Sequence, residues 1–404
     1  MTPLDIKSSF TRNAQPRQPA PPAGLALWNL GFRPFYLVAG IFAAVSILAW
    51  VDQLGGWTRP YFHAASPLWH AHEMIFGYAI AVIIGFLFTA VRNWTNEPTP
   101  AGWPLAAIAA LWLAGRILVL TPWPAWAAVT DTVFALAAAA GIAVPLIKAR
   151  NRRNYFFIAL IAALGAVNLV FCLAIEARID VPVERGLRLG IDLILFIMAV
   201  MAGRVIPMFT ANAVPGARPI RIRWLERIAL GGILVLLVID MLDLPALVTG
   251  LAAGIAAAAH GARLALWQPW RTVTRPILWI LHASYAWIAV HLALRALAAA
   301  ELLPIGLAIH ALTIGAIGGL TLGMMTRTAR GHTGRALEAS PLEVASYTLI
   351  QLAALVRVFI PLLVPQWYFA AVVASGLLWA VAFVLFVLKF WPILLRPRID
   401  GRSG

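Results

Sequence analysis

The sequence predicts an all-α polytopic membrane protein of about twelve transmembrane helices, and three observations predict it. Of its 404 residues 62% are hydrophobic and only 12% charged, where a soluble domain carries about a quarter. The apolar residues gather into some twelve blocks, each near the ~20 residues a spanning helix needs. Lys and Arg concentrate in alternate connections between those blocks, the positive-inside pattern. That distribution also argues against nucleic acid as the partner of a chain with net charge +15.

The expected spans, in order, are 34–51, 69–91, 103–120, 125–147, 154–176, 188–212, 224–242, 245–267, 275–298, 304–326, 342–363 and 367–391. The connection after the fourth carries Lys148, Arg150, Arg152 and Arg153, and the one after the sixth Arg218, Arg221 and Arg223. Basic residues recur after the eighth (Arg271, Arg275) and after the tenth (Arg327, Arg330, Arg335). The connections at 52–66, 121–124, 240–243 and 299–304 are poor in positive charge, and 177–187 is mixed. This alternation predicts both termini in the cytoplasm. Trp57, Trp69, Trp123, Trp126 and Trp367 fall near span ends, as an interfacial belt requires. Residues 1–24 read as a polar, Pro-rich disordered tail. Residues 25–395 read as one transmembrane domain, and 396–404 as a basic tail. The lone Cys172 rules out an internal disulfide, and no Cys-x-x-Cys-His is present for covalent haem attachment.

Polar groups at membrane depth carry the functional signal, because each is costly unless paired or ligated. Helix ten is the richest: His310 near its start, glycines at 315, 319 and 323, and His332 in the basic loop expected past its end. Bare glycine flanks let a second helix or a flat ligand come close. Helix two begins Trp69-His70-Ala71-His72-Glu73-Met74. His70 and His72 point about 200° apart on a helix and cannot share one metal from regular positions. Glu73 shares the face of His70 and suits an imidazole-orienting carboxylate. It is equally a favourable acidic residue at a helix start. His282 has Tyr285 one turn on, which fits an axial imidazole in an aromatic pocket or a histidine simply bonded to a neighbour. His260 and His291 read as structural, and His63 as a loop residue. Arg204, inside helix six, needs a carboxylate (Asp192 or Asp131), an anionic ligand group or water. Pro207 loosens the backbone beside it.

Five stretches together resemble the NnrS family of bacterial membrane proteins. They are Gly31-Phe32-Arg33-Pro34-Phe35, Trp69 to Met74, Gly203-Arg204-Val205-Ile206-Pro207-Met208-Phe209-Thr210, Leu281-His282, and His310 to Gly318 running on to Gly331-His332-Thr333-Gly334-Arg335. The resemblance implies a bacterial cytoplasmic-membrane protein of the nitric oxide and nitrosative stress response, holding non-covalent b-type haem and copper. Its twelve helices are similar to a haem–copper oxidase bundle, although the oxidases' His-x-x-x-Tyr and His-His signatures are absent. Carried onto this chain, the resemblance implies metal or cofactor roles for His70, His72, His282, His310 and His332. Arg204, and the inner Arg327 and Arg330, would face haem propionates. Glu73 and Tyr285 are the candidate catalytic groups. Electrons would come from quinol or a separate donor. Three readings stay open: a nitric oxide reductase-type oxidoreductase, a haem or metal sensor or scaffold without turnover, and a His- and Arg-lined transporter.

Overall fold

A computed structural model describes residues 24–57 and 67–402. His63, nearly all of the expected N-terminal tail, and residues 403–404 lie outside the described residues.

Every element among them is helical. We number the twelve rods α1 (Phe32–Gly55), α2 (Pro67–Thr95), α3 (Trp103–Leu118), α4 (Pro124–Lys148), α5 (Phe156–Ile175), α6 (Val183–Ala213), α7 (Arg223–Leu242), α8 (Ala246–Leu266), α9 (Pro276–Ala299), α10 (Ile305–His332), α11 (Pro341–Leu363) and α12 (Tyr368–Leu395). All but α3 and α7 meet the length and composition of a membrane span, ten in all. At 16 residues, α3 is only about 24 Å long, short of the ~30 Å hydrocarbon core. α7 is long enough but carries charges at both ends. The order and number of expected spans match these rods. The largest displacement is at α10, which runs on to His332 instead of stopping near residue 326.

Local sequence explains the helix boundaries. Pro stands in the first turn of α3, α4, α9 and α11, where its missing N–H costs nothing. α11 also has a reciprocal capping box between Ser340 and Glu343. Left-handed residues stop α1 (Gly56), α2 (Asn96) and α7 (Asp243), as helix C-caps commonly do.

Sequential rods pair as antiparallel neighbours, and α1 returns to pack on α12. Trp379 Nε1 donates to the Ala43 carbonyl at 3.0 Å, and Ala26 N donates to Leu395 O at 2.8 Å. The start of α1 and the end of α12 therefore lie at one end of the bundle, alongside the Arg-rich connections. We call this the basic end. Here Arg398 forks onto Asp400 at 2.8 and 2.6 Å, and that guanidinium holds the Asp400 carboxyl well below the usual carboxylate range.

Two segments depart from α-geometry. Glu73–Ala79 of α2 and Ala311–Gly318 of α10 are π-helical. Such stretches are rare and concentrate at functional sites.

Candidate functional site

The two π-segments face each other across one cavity. It has a volume of about 770 Å³ and lies in the half of the bundle away from the basic end. From α2 come His70, Met74, Ile75 and Tyr78, and from α10 His310, Thr313, Ile314 and Ile317. α1 adds Trp50, α6 adds Glu184 and Arg188, α11 adds Arg357, and α12 adds Tyr368 and Trp379. Tyr78 and Thr321 hydroxyls join the two π-bearing helices at 2.6 Å. The volume falls within the range of a small-molecule or cofactor site, ~300–1,000 Å³. Its walls are mostly apolar, and the ionisable groups among them include two imidazoles, two guanidiniums and one carboxylate.

His310 is oriented by its own helix. Its Nδ1 lies 2.7 Å from the Gly306 carbonyl. A carbonyl can only accept, so Nδ1 carries the proton and Nε2 keeps its lone pair. This is the arrangement that prepares an imidazole as a metal ligand. His70 stacks on Trp50, ring centroids 5.0 Å apart and planes inclined by 12°. Met74 follows one turn later on the same cavity wall. Arg357 donates to the Tyr368 hydroxyl at 3.3 Å and lies 5.1 Å from the centre of that ring.

His72 belongs to a separate, fully buried network. Its Nδ1 meets Glu73 Oε1 at 2.8 Å, and its Nε2 meets Asn168 Oδ1 at 2.8 Å. The Asn168 amide nitrogen points to Asp131 at 3.4 Å, which fixes Oδ1 as the atom facing His72. Both ring nitrogens thus donate, so the ring is an imidazolium. Arg116 bridges Glu73 (2.7 Å) and Asp131 (2.5 Å). Two cations and two carboxylates cancel inside the bundle, as buried charges must. His72 has no lone pair left for a metal. Glu73 faces His72 and Arg116 and does not orient His70, because both cations hold its carboxylate.

The remaining expected residues lie elsewhere, most of them toward the basic end. His282 Nε2 pairs with Thr210 Oγ1 at 2.8 Å, and its Nδ1 is buried without a partner. Tyr285 does not join it. The Tyr285 hydroxyl meets His260 Nδ1 at 2.6 Å and accepts from Arg263 at 2.8 Å. Arg204 finds neither expected aspartate, because Asp192 is bound by Arg295 and Asp131 by Arg116. It donates instead to Asn154 Oδ1 at 2.7 Å and lies 5.6–5.8 Å from the rings of Trp94, Phe156 and Phe157. Arg327 sits 3.7 Å over Phe209, and Arg330 makes a two-pronged ion pair with Glu343. His332 packs on Phe32 at 5.7 Å. The structure thus brings together His70 and His310 and leaves His72, His282 and His332 apart from them. Among the described residues no three His, Cys, Asp or Glu side chains form a ready metal cage.

Sequence reasoning missed Trp50 and Arg357. Arg357 was findable, since it is a lone cation inside an apolar span. Trp50 is one of 17 tryptophans and carries no distinguishing signal.

No match to the chain is found among the curated proteins. The family model described as NnrS protein matches residues 26–398. That is nearly the whole chain and every helix named above, and the chain belongs to the NnrS family.

Proposed function

We propose that the chain holds a haem in the large cavity through His310 and uses it to bind and reduce nitric oxide in the bacterial cytoplasmic membrane. Membership of the NnrS family supports a role in the nitric oxide response. The observation that carries the cofactor reading is the His310 ring, anchored through Nδ1 and lining a cavity of cofactor size.

The donor set fits the group. An imidazole nitrogen with a fixed tautomer suits haem iron. Arg357 and Arg188 on the cavity wall suit propionates, which guanidinium forks bind well. His70 and Met74 offer an imidazole and a thioether one turn apart, donors that suit copper. When bound, the metals supply the site where nitric oxide is held and the route by which electrons reach it. The chain supplies the rest. Gly306 keeps His310 in one tautomer. Trp50 holds the His70 ring flat. The apolar wall of Ile47, Ile75, Ile314 and Ile317 excludes water and admits an uncharged gas. Quinol or a separate protein is the electron donor in this reading.

The experiment is an optical spectrum with iron and copper analysis of the purified protein. We expect a Soret band that His310→Ala abolishes or converts to another spin state. His70→Ala should lower copper while leaving haem, and His72→Gln should leave both. A protein with no Soret band and iron at background would overturn the reading. Stoichiometric nitric oxide binding with no consumption in the presence of reductant would move the assignment to a sensor.

A further inference from the structure

Next to the large cavity lies a smaller one of about 330 Å³. The two share Arg188, Ile191, Ile305 and Ile309 as a common wall. Its rim is made of helix ends away from the basic end, Asp243 to Ala246 and Ala298 to Ala299. Its lining is richer in charged side chains than that of the large cavity.

Its charged groups come from three helices. α6 contributes Arg188 and Asp192, α7 and its end contribute Asp240 and Asp243, and α9 contributes His291 and Arg295. α8 presents only Ala246 and Thr249, and α10 only Ile305 and Ile309. Arg295 bridges Asp192 Oδ1 at 3.0 Å and Asp240 Oδ1 at 2.6 Å. Asp243 at the rim is paired with Arg185 at 3.4 Å. One guanidinium, Arg295, serves two buried carboxylates, and Arg188 is a second cation on the same lining.

Two lone pairs stand unused. Asp192 Oδ2 and His291 Nε2 are buried with no hydrogen-bond partner, on residues 1% and 2% exposed. The His291 tautomer is fixed as that of His310 is, by Nδ1 donating to the Ala308 carbonyl at 2.7 Å. Nε2 of the neutral ring is therefore an acceptor. A buried acceptor without a donor is unfavourable, and here two line one cavity. Either lone pair is a site where a proton can be taken up.

We propose that Asp192 and His291 form a proton-binding pair, loaded from the end of the bundle opposite the basic loops, that delivers protons to the large cavity. Uptake forms an O–H bond on Asp192 Oδ2 or an N–H bond on His291 Nε2. Release breaks that bond and passes the proton across the shared wall at Arg188. No electron moves in either step. Reduction of nitric oxide consumes protons as well as electrons, so the destination rests on the function proposed above. The uptake itself does not.

The test uses full-length protein in lipid nanodiscs, free of nitric oxide, followed by infrared difference spectroscopy as the pH is lowered. A carboxylic-acid band should grow on acidification and be absent from Asp192→Asn. An imidazolium band should be absent from His291→Gln, which leaves the Arg295 bridge intact and guards against misfolding of the aspartate variant. Each variant should shift the surviving partner's midpoint by about one pH unit, a tenfold change in proton affinity. Difference spectra identical to wild type in folded His291→Gln would overturn the proposal, and so would a carboxyl band that Asp192→Asn leaves in place. In a haem-loaded preparation Asp192→Asn should slow nitric oxide consumption at unchanged haem content. If no haem is found, the infrared result still decides the pair.

Discussion

Arg116 shows how one residue can hold a membrane interior together. It sits between Glu73 and Asp131 with all three side chains buried. Two glycines make room for it. A Cβ on Gly77 would meet Arg116 Nη1 at 2.8 Å, and one on Gly115 would collide with the Asp131 carboxylate. Replacing Arg116 by Leu removes one cation and strands two carboxylates beside His72, and breaking a buried pair from one side costs about 3–5 kcal/mol. We expect Arg116→Leu to lower the unfolding midpoint in a thermal or denaturant titration by that equivalent. His70→Ala, whose ring only stacks at a cavity wall, should leave the midpoint nearly unchanged. The sequence marks Glu73, Arg116, Asp131 and Asn168 as costly polar groups at membrane depth. It does not say which pairs with which, because that depends on α2, α3, α4 and α5 becoming neighbours. The same ignorance sent Arg204 toward Asp131 and Asp192. Gly203, which sits beside Arg204 in the motif, in fact clears space for Arg263.

At the scale of the element, α10 combines a feature the sequence displays with one it conceals. The glycine flank is displayed, and it receives a helix. Cβ atoms on Gly315, Gly319 and Gly323 would strike Trp287, Ser284 and Leu281 of α9. The α9 numbers fall as those of α10 rise, the register of an antiparallel pair packed through small residues. The π-segment is concealed, since Ala311–Gly318 has the same apolar composition as any span. It widens one turn and re-aims everything before it, His310 included, relative to the glycine flank. Deleting Thr313 should restore α-geometry and swing His310 by about 100° while α9 still packs on the glycines. The expected outcome is a folded, monodisperse protein that has lost its haem band, read by size-exclusion chromatography with absorbance. Gly315→Leu is the converse. It leaves His310 alone but drives a side chain into Trp287, an overpacking cost of about 1–3 kcal/mol or more, and should fail first by stability.

For the whole molecule, one end of the bundle gathers arginines, and the two cavities described above lie toward the other. The large cavity and the Asp192–His291 cavity both lie in the half away from Arg33, Arg335 and Arg398. The positive-inside rule predicts a direction from that asymmetry: basic end in the cytoplasm, cavities toward the outside. The segregation of arginines to one end was readable from the order of spans and loops alone, because charge and hydropathy are local properties. The convergence of α1, α2, α6, α10, α11 and α12 on one cavity was not, being a property of packing. The direction has a functional consequence, since under the two proposals above gas and protons would then enter from the outer side. Cysteine labelling tests it. In a Cys172→Ala background, Asp180→Cys lies exposed in the connection after α5, at the cavity end, and Arg218→Cys lies exposed in the connection after α6, at the basic end. A membrane-impermeant maleimide applied to intact cells should modify the cysteine at 180 and spare the one at 218 until the membrane is opened. The reverse pattern would invert the molecule, place both cavities toward the cytoplasm, and require the proton pair to load from inside the cell.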